Sequence, residues 1–193
     1  MINGGWVRVA IITIAIILLH AISALGQGDT PKQHTAGGVT FKYSPVWFVH
    51  DETAGDSAQI SLSDDKDDAQ IMIVVSNAKI EKKLTPDEIK KQALDPWVAQ
   101  LVAAYERNGI KVQQENATTD IAGAQASGTR LKFALDNRNG IGEAYSALID
   151  KKLVVFYFLR PDTAAAPILS CWDLVRTSIA PEPLSLHPVG QRN

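Results

Sequence analysis

The chain has 193 residues, 46% of them apolar and 21% charged, with a formal net charge of -2 and one cysteine. That length admits one ordinary core rather than two large ones, and the near-neutral balance argues against a nucleic-acid surface, which needs a patch of one sign to release counterions. The only local concentration of lysines, Lys79, Lys82, Lys83, Lys90 and Lys91, has Glu81, Asp87 and Glu88 among it. The lone Cys171 excludes an intramolecular disulfide, and no internal period indicates a repeat architecture.

In chain order, residues 1–26 come first. "MINGGWVR" holds one positive charge, Arg8, and no acid; an apolar run, "VAIITIAIILLHAISAL", follows, broken only by His20; Ala24 and Gly26 then supply small residues. This is the pattern of a signal peptide, with cleavage after Gly26. The alternative is an uncleaved anchor, because a run of about 17 apolar residues reaches the lower edge of a membrane span. Either reading puts the folded part outside the cytosol, secreted or periplasmic in the first case and held by a single-pass anchor in the second. Membrane contact is then expected only through an uncleaved leader. No cysteine follows the apolar run, which argues against a lipoprotein anchor, and loss of Arg8 would move the charge from -2 to -3.

Residues 27–37 are polar and lack apolar periodicity, which predicts a flexible arm. Val39, Phe41 and Tyr43 alternate with polar residues as in a half-buried strand, Ser44-Pro45 breaks the run, and "VWFVHD" resumes it, so a hairpin is predicted across the break. "AQISLSD" and "AQIMIVVSN" read as two more strands joined by the acidic loop "SDDKDD". Thr85-Pro86-Asp87-Glu88 then forms a capping box with proline in the first turn. Ile89, Ala93, Trp97, Leu101 and Tyr105, with Leu94, Val98 and Val102 on the adjacent row, make one apolar stripe. Asp95-Pro96 reads as a second cap, predicting a helix, a bend and a longer helix that stops at Asn108-Gly109.

Four strand-like runs follow, "IKVQQENATTDI", "AQASGTRLKFAL", "IGEAYSALID" and "KLVVFYFLR", with turns expected at Gly123, Asn139-Gly140 and Asp150-Lys151. The last run is apolar on both faces and should be a central strand. "DTAAAPILSCWDLVRTSI" reads as a closing helix with Ile168, Leu169, Trp172, Val175 and Ile179 inward and Cys171 as a small buried residue. The expected domain is 38–180, followed by a loose tail over 181–193.

The order of strands, helix, strands, helix resembles the PsbP-like superfamily. "VTFKYSPVW" looks like the opening of those domains, "DIAGAQASG" like their glycine turn, "LVVFYFL" like their hydrophobic strand, and "VRTSI" like the end of their last helix, with Ile179 where the family often has an aromatic residue. The resemblance covers roughly residues 38 to 180. It implies an α+β fold, an antiparallel sheet sandwiched between helices. The superfamily spans photosystem extrinsic subunits, a nuclear-transport regulator and bacterial envelope proteins of the DcrB-like kind, which share protein binding rather than a reaction, so fold alone does not select a function.

Chemistry-bearing residues are sparse. His34, His50 and His187 lack the spacing of a zinc site. His50 lies beside Asp51 and Glu52 and reads as a surface histidine at a strand end, and no histidine offers Cys171 a recognisable partner. Asp64, Asp65, Asp67 and Asp68 could surround a divalent ion, but the central glycine and distal glutamate of an EF-hand loop are missing, and such a loop more often keeps a sheet edge soluble. "NGIGEA" lies between strands, so its glycines are read as turn residues rather than a phosphate loop. Glu143 and Asp136 flank the same hairpin without a pattern specific to hydrolysis, and Asn116-Ala117-Thr118 is a glycosylation sequon. Trp47, Trp97 and Trp172 fall on apolar faces, whereas Phe48 points away from Trp47 and, with His50 and near Tyr43 or Tyr157, is left for contact with a partner. The expectation is an exported, non-enzymatic module without cofactor that binds a protein partner; the alternative is a divalent-ion or small-ligand binding protein using the acidic loop.

Overall fold

A computed structural model describes residues 30–54, 56–66, 68–135 and 138–183. The predicted leader, Asp67, Asp136, His187 and nearly all of the predicted tail lie outside the described residues. The compact unit that holds the described strands and helices starts at Lys32.

Among the described residues, seven strands form one antiparallel sheet in the order β3 (Phe48–Ala54), β4 (Ser57–Ser63), β5 (Gln70–Lys79), β9 (Lys152–Pro161), β8 (Arg138–Ile149), β7 (Ala124–Leu135) and β6 (Val112–Ile121). The doubly apolar run is the middle strand, as its composition requires. Val154, Phe156 and Phe158 face one side; Val155 and Tyr157 face the other. The first side is covered by a small sheet and by α3 (Ala166–Ser178), whose Trp172 stacks on Phe158 at 5.3 Å and Tyr145 at 6.1 Å and meets Phe156 edge-on. The second is covered by α1 (Pro86–Ile89), a π-helical turn (Lys90–Leu94) and α2 (Asp95–Arg107).

The small sheet overturns two expectations. Residues Lys32–Ala36, predicted as part of a flexible arm, form β1, and β1 pairs with β2 (Val39–Tyr43) through Gly37-Gly38, both at positive φ. Two glycines before an alternating run are a two-residue hairpin signal, which a period search over the polar segment passes over. The predicted pairing across Ser44-Pro45 does not occur. β2 pairs with β1 and with β10 (Ala180–Pro181), while the chain turns at Ser44, where Trp47 N–H bonds the Ser44 carbonyl, and crosses to the large sheet as β3. The folded unit therefore extends past 38–180 at both ends, to Lys32 and to Glu182, whose amide bonds Gly38.

The capping box forms as read: Glu88 N–H donates to Thr85 Oγ1 at 3.3 Å, Thr85 N–H donates to Glu88 Oε2 at 2.8 Å, and the Glu88 carboxyl is held below its usual range by the latter bond. The bend has a different cause from the one expected. Asp95 does not cap a second helix; its amide reaches back five residues to the Lys90 carbonyl and its carboxylate pairs with Lys90 Nζ at 2.6 Å. This inserts one residue into the stripe, so burial passes from Ile89 to Leu94, Val98 and Val102, while Trp97, Leu101 and Tyr105 are half-buried. α2 ends at Gly109, whose positive φ lets Gly109 N–H reach Glu106 and Ile110 N–H reach Tyr105, a Schellman arrangement.

The turns at Ala122-Gly123 and Asp150-Lys151 form with positive φ at both residues. Asn139-Gly140 is not a turn. Leu135 pairs with Arg138, so both residues belong to β8, and Gly140 is needed because the Phe133 ring lies where a side chain would be, 2.5 Å from the position of a Cβ. Gly142 likewise makes room for Tyr157, whose hydroxyl bonds Tyr105 Oη at 3.0 Å. On α3, Trp172, Val175 and Cys171 are buried, but Leu169, expected inward, is exposed. Ser178 of the "VRTSI" motif accepts from Lys42 N–H at 2.8 Å, tying the helix end to β2, and Ile179 beside it is buried.

Gly128 lies under the Tyr145 ring and against the Ala144 carbonyl, with no room for a Cβ. Gly128→Val is therefore expected to destabilise the fold by about 3 kcal/mol, read from urea unfolding. Burial pushes the Cys171 thiol up to about 11 from an ordinary value of 9.0. Because the folded value is the higher one, its stabilising contribution is complete below pH 9 and is lost as pH rises through 11. Comparing the urea midpoints of wild type and Cys171→Ala at pH 8 and pH 10.5, we expect the wild type to lose up to about 2 kcal/mol more than the variant.

Candidate interaction surfaces

Phe48 opens β3 and is 66% exposed, while Trp47 beside it is 4% exposed and inside the core. Alternation along β3 separates the group that the sequence places together. His50 shares a face with Phe48 and Glu52, and its Nε2 lies 3.2 Å from Glu52 Oε1. Asp51 faces the other way and pairs with His34 of β1 at 2.9 Å, joining the two sheets. Tyr43 and Tyr157 are both buried and add nothing to a patch around Phe48. On this face β4 presents Gln59, Ser61 and Ser63, so Phe48 stands among polar neighbours.

A second surface lies at the opposite edge and was missed in the sequence. β6 pairs with β7 along ten residues and has no neighbour on its other side among the described strands. α2 runs above it and leaves a groove of about 580 Å³. Ala99, Ala103 and Glu106 form the helix wall, and Gln114, Asn116 and the buried Thr129 form the sheet floor. The Lys90–Asp95 pair lies in the same groove, whereas the Glu106 carboxylate has no ion pair among the described residues. On the other face of the sheet Glu115 is held by Lys132 at 3.1 Å and Arg130 at 3.3 Å, and Arg130 also grips the buried Glu143 at 2.6 Å. An open strand beneath a helix wall of small residues is a shape that accepts an extended chain by strand addition. The signal available in the sequence was the pair Ala99 and Ala103, four apart on the outer flank of the apolar stripe.

The acidic hairpin is organised by one of its residues. Asp64 is buried, its Oδ1 accepts from Ala69 N–H at 2.9 Å, and its own amide reaches the Ala69 carbonyl at 3.3 Å. Asp65 and Asp68 are exposed, and Asp67 lies outside the described residues. Among the described residues, no three His, Cys, Asp or Glu side chains gather as a metal-holding group.

No protein-family model matches the chain, and no curated protein matches it by sequence. Solved structures do. The cyanobacterial PsbP protein CyanoP from Synechocystis superimposes with a TM-score of 0.52 at 14% identity, over 81% of this chain and 95% of that one. The domain has the PsbP-like fold. A protein from Bacteroides thetaiotaomicron matches with a TM-score of 0.50 at 12% identity, covering 78% of this chain but 48% of its own, so the PsbP-like chain spans about half of it. LpqN, described as involved in cell envelope biogenesis of Mycobacterium tuberculosis, aligns at 13% identity and a TM-score of 0.43 over 80% of this chain and 90% of its own.

Within the PsbP-like domain, no helix among the described residues is long and apolar enough to cross a membrane. Asp64→Ala removes the acceptor of a buried amide, and we expect it to lower stability by about 1–2 kcal/mol in urea unfolding. Millimolar calcium should leave the melting temperature of the wild type unchanged, in contrast to the rise that a native-state ligand produces.

Proposed function

We propose that this PsbP-like domain is a non-enzymatic accessory module that acts outside the cytosol by holding an extended segment of a partner protein along β6. The observation that carries this reading is the edge of β6 beneath α2, which has no neighbouring strand among the described residues, with its groove of about 580 Å³. Strand addition draws affinity from main-chain hydrogen bonds and selectivity from alternate side chains. Here the groove favours small residues under Ala99 and Ala103 and a basic residue near Glu106, which has no ion pair among the described residues. Chemistry-bearing residues elsewhere in the fold have structural duties: Asp64 closes a hairpin, Glu143 is clamped by Arg130, and Cys171 is buried. The extracytoplasmic setting rests on the leader pattern of residues 1–26.

The test is capture of partners from an envelope fraction by the full chain and by two variants, quantified by mass spectrometry. Ala103→Arg, which fills the groove, should cut capture of a stoichiometric partner about ten-fold, and Phe48→Ala should leave it within about two-fold. Loss with Phe48→Ala and retention with Ala103→Arg would move the contact to the β3 face. Capture that is no better than with an unrelated exported domain would remove the protein-binding reading.

A further inference from the structure

Among the described strands of the large sheet, the β7–β8 ladder ends short of its neighbours. β6 and β7 pair up to their turn, at Ile121 and Ala124, and β8 and β9 pair up to theirs, at Ile149 and Lys152. Between them the β7–β8 ladder stops at Gly128 and Tyr145. Ala124–Ser127 and Ser146–Ile149 therefore each have a neighbour on one side only. The cause lies in the packing around Gly128: the Tyr145 ring occupies the space above it, and the tip of the β6–β7 hairpin bends away to α3. There Ala122 N–H bonds the Arg176 carbonyl at 2.8 Å and Arg176 Nη1 bonds the Asp120 carbonyl at 2.9 Å. On the other face α1 is tied to β7 through Ser127 and Asp87 at 2.7 Å.

The split leaves a cavity of about 260 Å³. Leu84, Ile89, Ile121 and Leu148 are among its apolar lining, Gln125 is its one amide side chain, and no lining residue is charged. Ser146 is 1% exposed, belongs to this lining, and its hydroxyl has no hydrogen-bond partner among the described residues. A buried hydroxyl left without a partner is unfavourable, and a cavity with an apolar wall and one such group has the make-up of a small-molecule site. An ion would lose its hydration there without a counter-charge, and the volume is slightly below that of sites for drug-sized ligands. We infer that the split between β7 and β8 binds a small, uncharged, largely apolar molecule carrying one hydroxyl group, which Ser146 hydrogen-bonds. This site is separate from the β6 groove.

The experiment uses the full chain, labelled with nitrogen-15, titrated with phenol and with toluene, which has the same ring without the hydroxyl. Phenol should cause saturable amide shifts at Ser146–Ile149, Ala124, Gln125 and Ile89, leave Ala99 and Asn116 in place, and bind about five-fold more tightly than toluene. Ser146→Ala should erase that preference, and Ala124→Phe, or Leu148→Phe if the first variant loses its native spectrum, should abolish binding. Shifts that do not saturate, shifts centred elsewhere, equal affinity for phenol and toluene in the wild type, or binding that survives the filled cavity would each overturn the inference.

Discussion

β9 needs cover on both of its faces, and the rest of the structure is arranged to provide it. Phe156 and Phe158 on one side and Val155 and Tyr157 on the other cannot face water in the middle of a sheet without losing a large part of the burial that drives folding. Trp172 meets the first pair and Tyr145 in a cluster of four aromatic rings. Trp97 and the hydroxyl of Tyr105 meet Tyr157 on the other side. The two helical layers follow from this requirement, and so do the glycines at 128 and 142, which make room for Tyr145 and Tyr157.

The cover is not equal across the sheet. α3 and the small sheet lie over β4, β5, β9 and β8, while the other helical layer lies over β5, β9, β8 and β7. Two regions are left open. On β3 and β4 the open face is polar, and the edge strand carries His50, Asp51 and Glu52, which discourage pairing with another chain. On β6 the edge is also polar, but α2 stands above it and turns an open edge into a groove. The difference between a solvated edge and a receptive one lies in that overhanging helix, since both strands have unpaired backbone groups.

The PsbP-like fold does not choose between possible partners, because unrelated functions are carried by the same architecture. The features left for binding are local: Ala99 and Ala103 over an edge strand, Glu106 without an ion pair among the described residues, and a hydroxyl enclosed where two strands separate. Such features sit where regular pairing or packing stops, and this is where a scaffold has main-chain and side-chain groups left to bind something else.

Much of the fold was legible in local chemistry. The capping box at Thr85, the glycine stop at Gly109, the alternation of β4 and β5, the central position of β9 and the inward face of Trp172 each depend on residues within a few positions of one another. The partner of β2, the π-helical turn and the place of Gly140 did not come through, because each depends on a residue far along the chain or on space that only packing defines. β1 looked like an arm because its own side chains are polar; the Gly37-Gly38 turn and the edge of β2 make it a strand. The candidate surfaces divide in the same way. The sequence by itself determined that Phe48 would stand out from the core, since alternation against Trp47 is a local rule. Tertiary structure alone decided that α2 would overhang β6 and that the β7–β8 ladder would part at Gly128, because each of these is a relation between segments brought together only by burying β9.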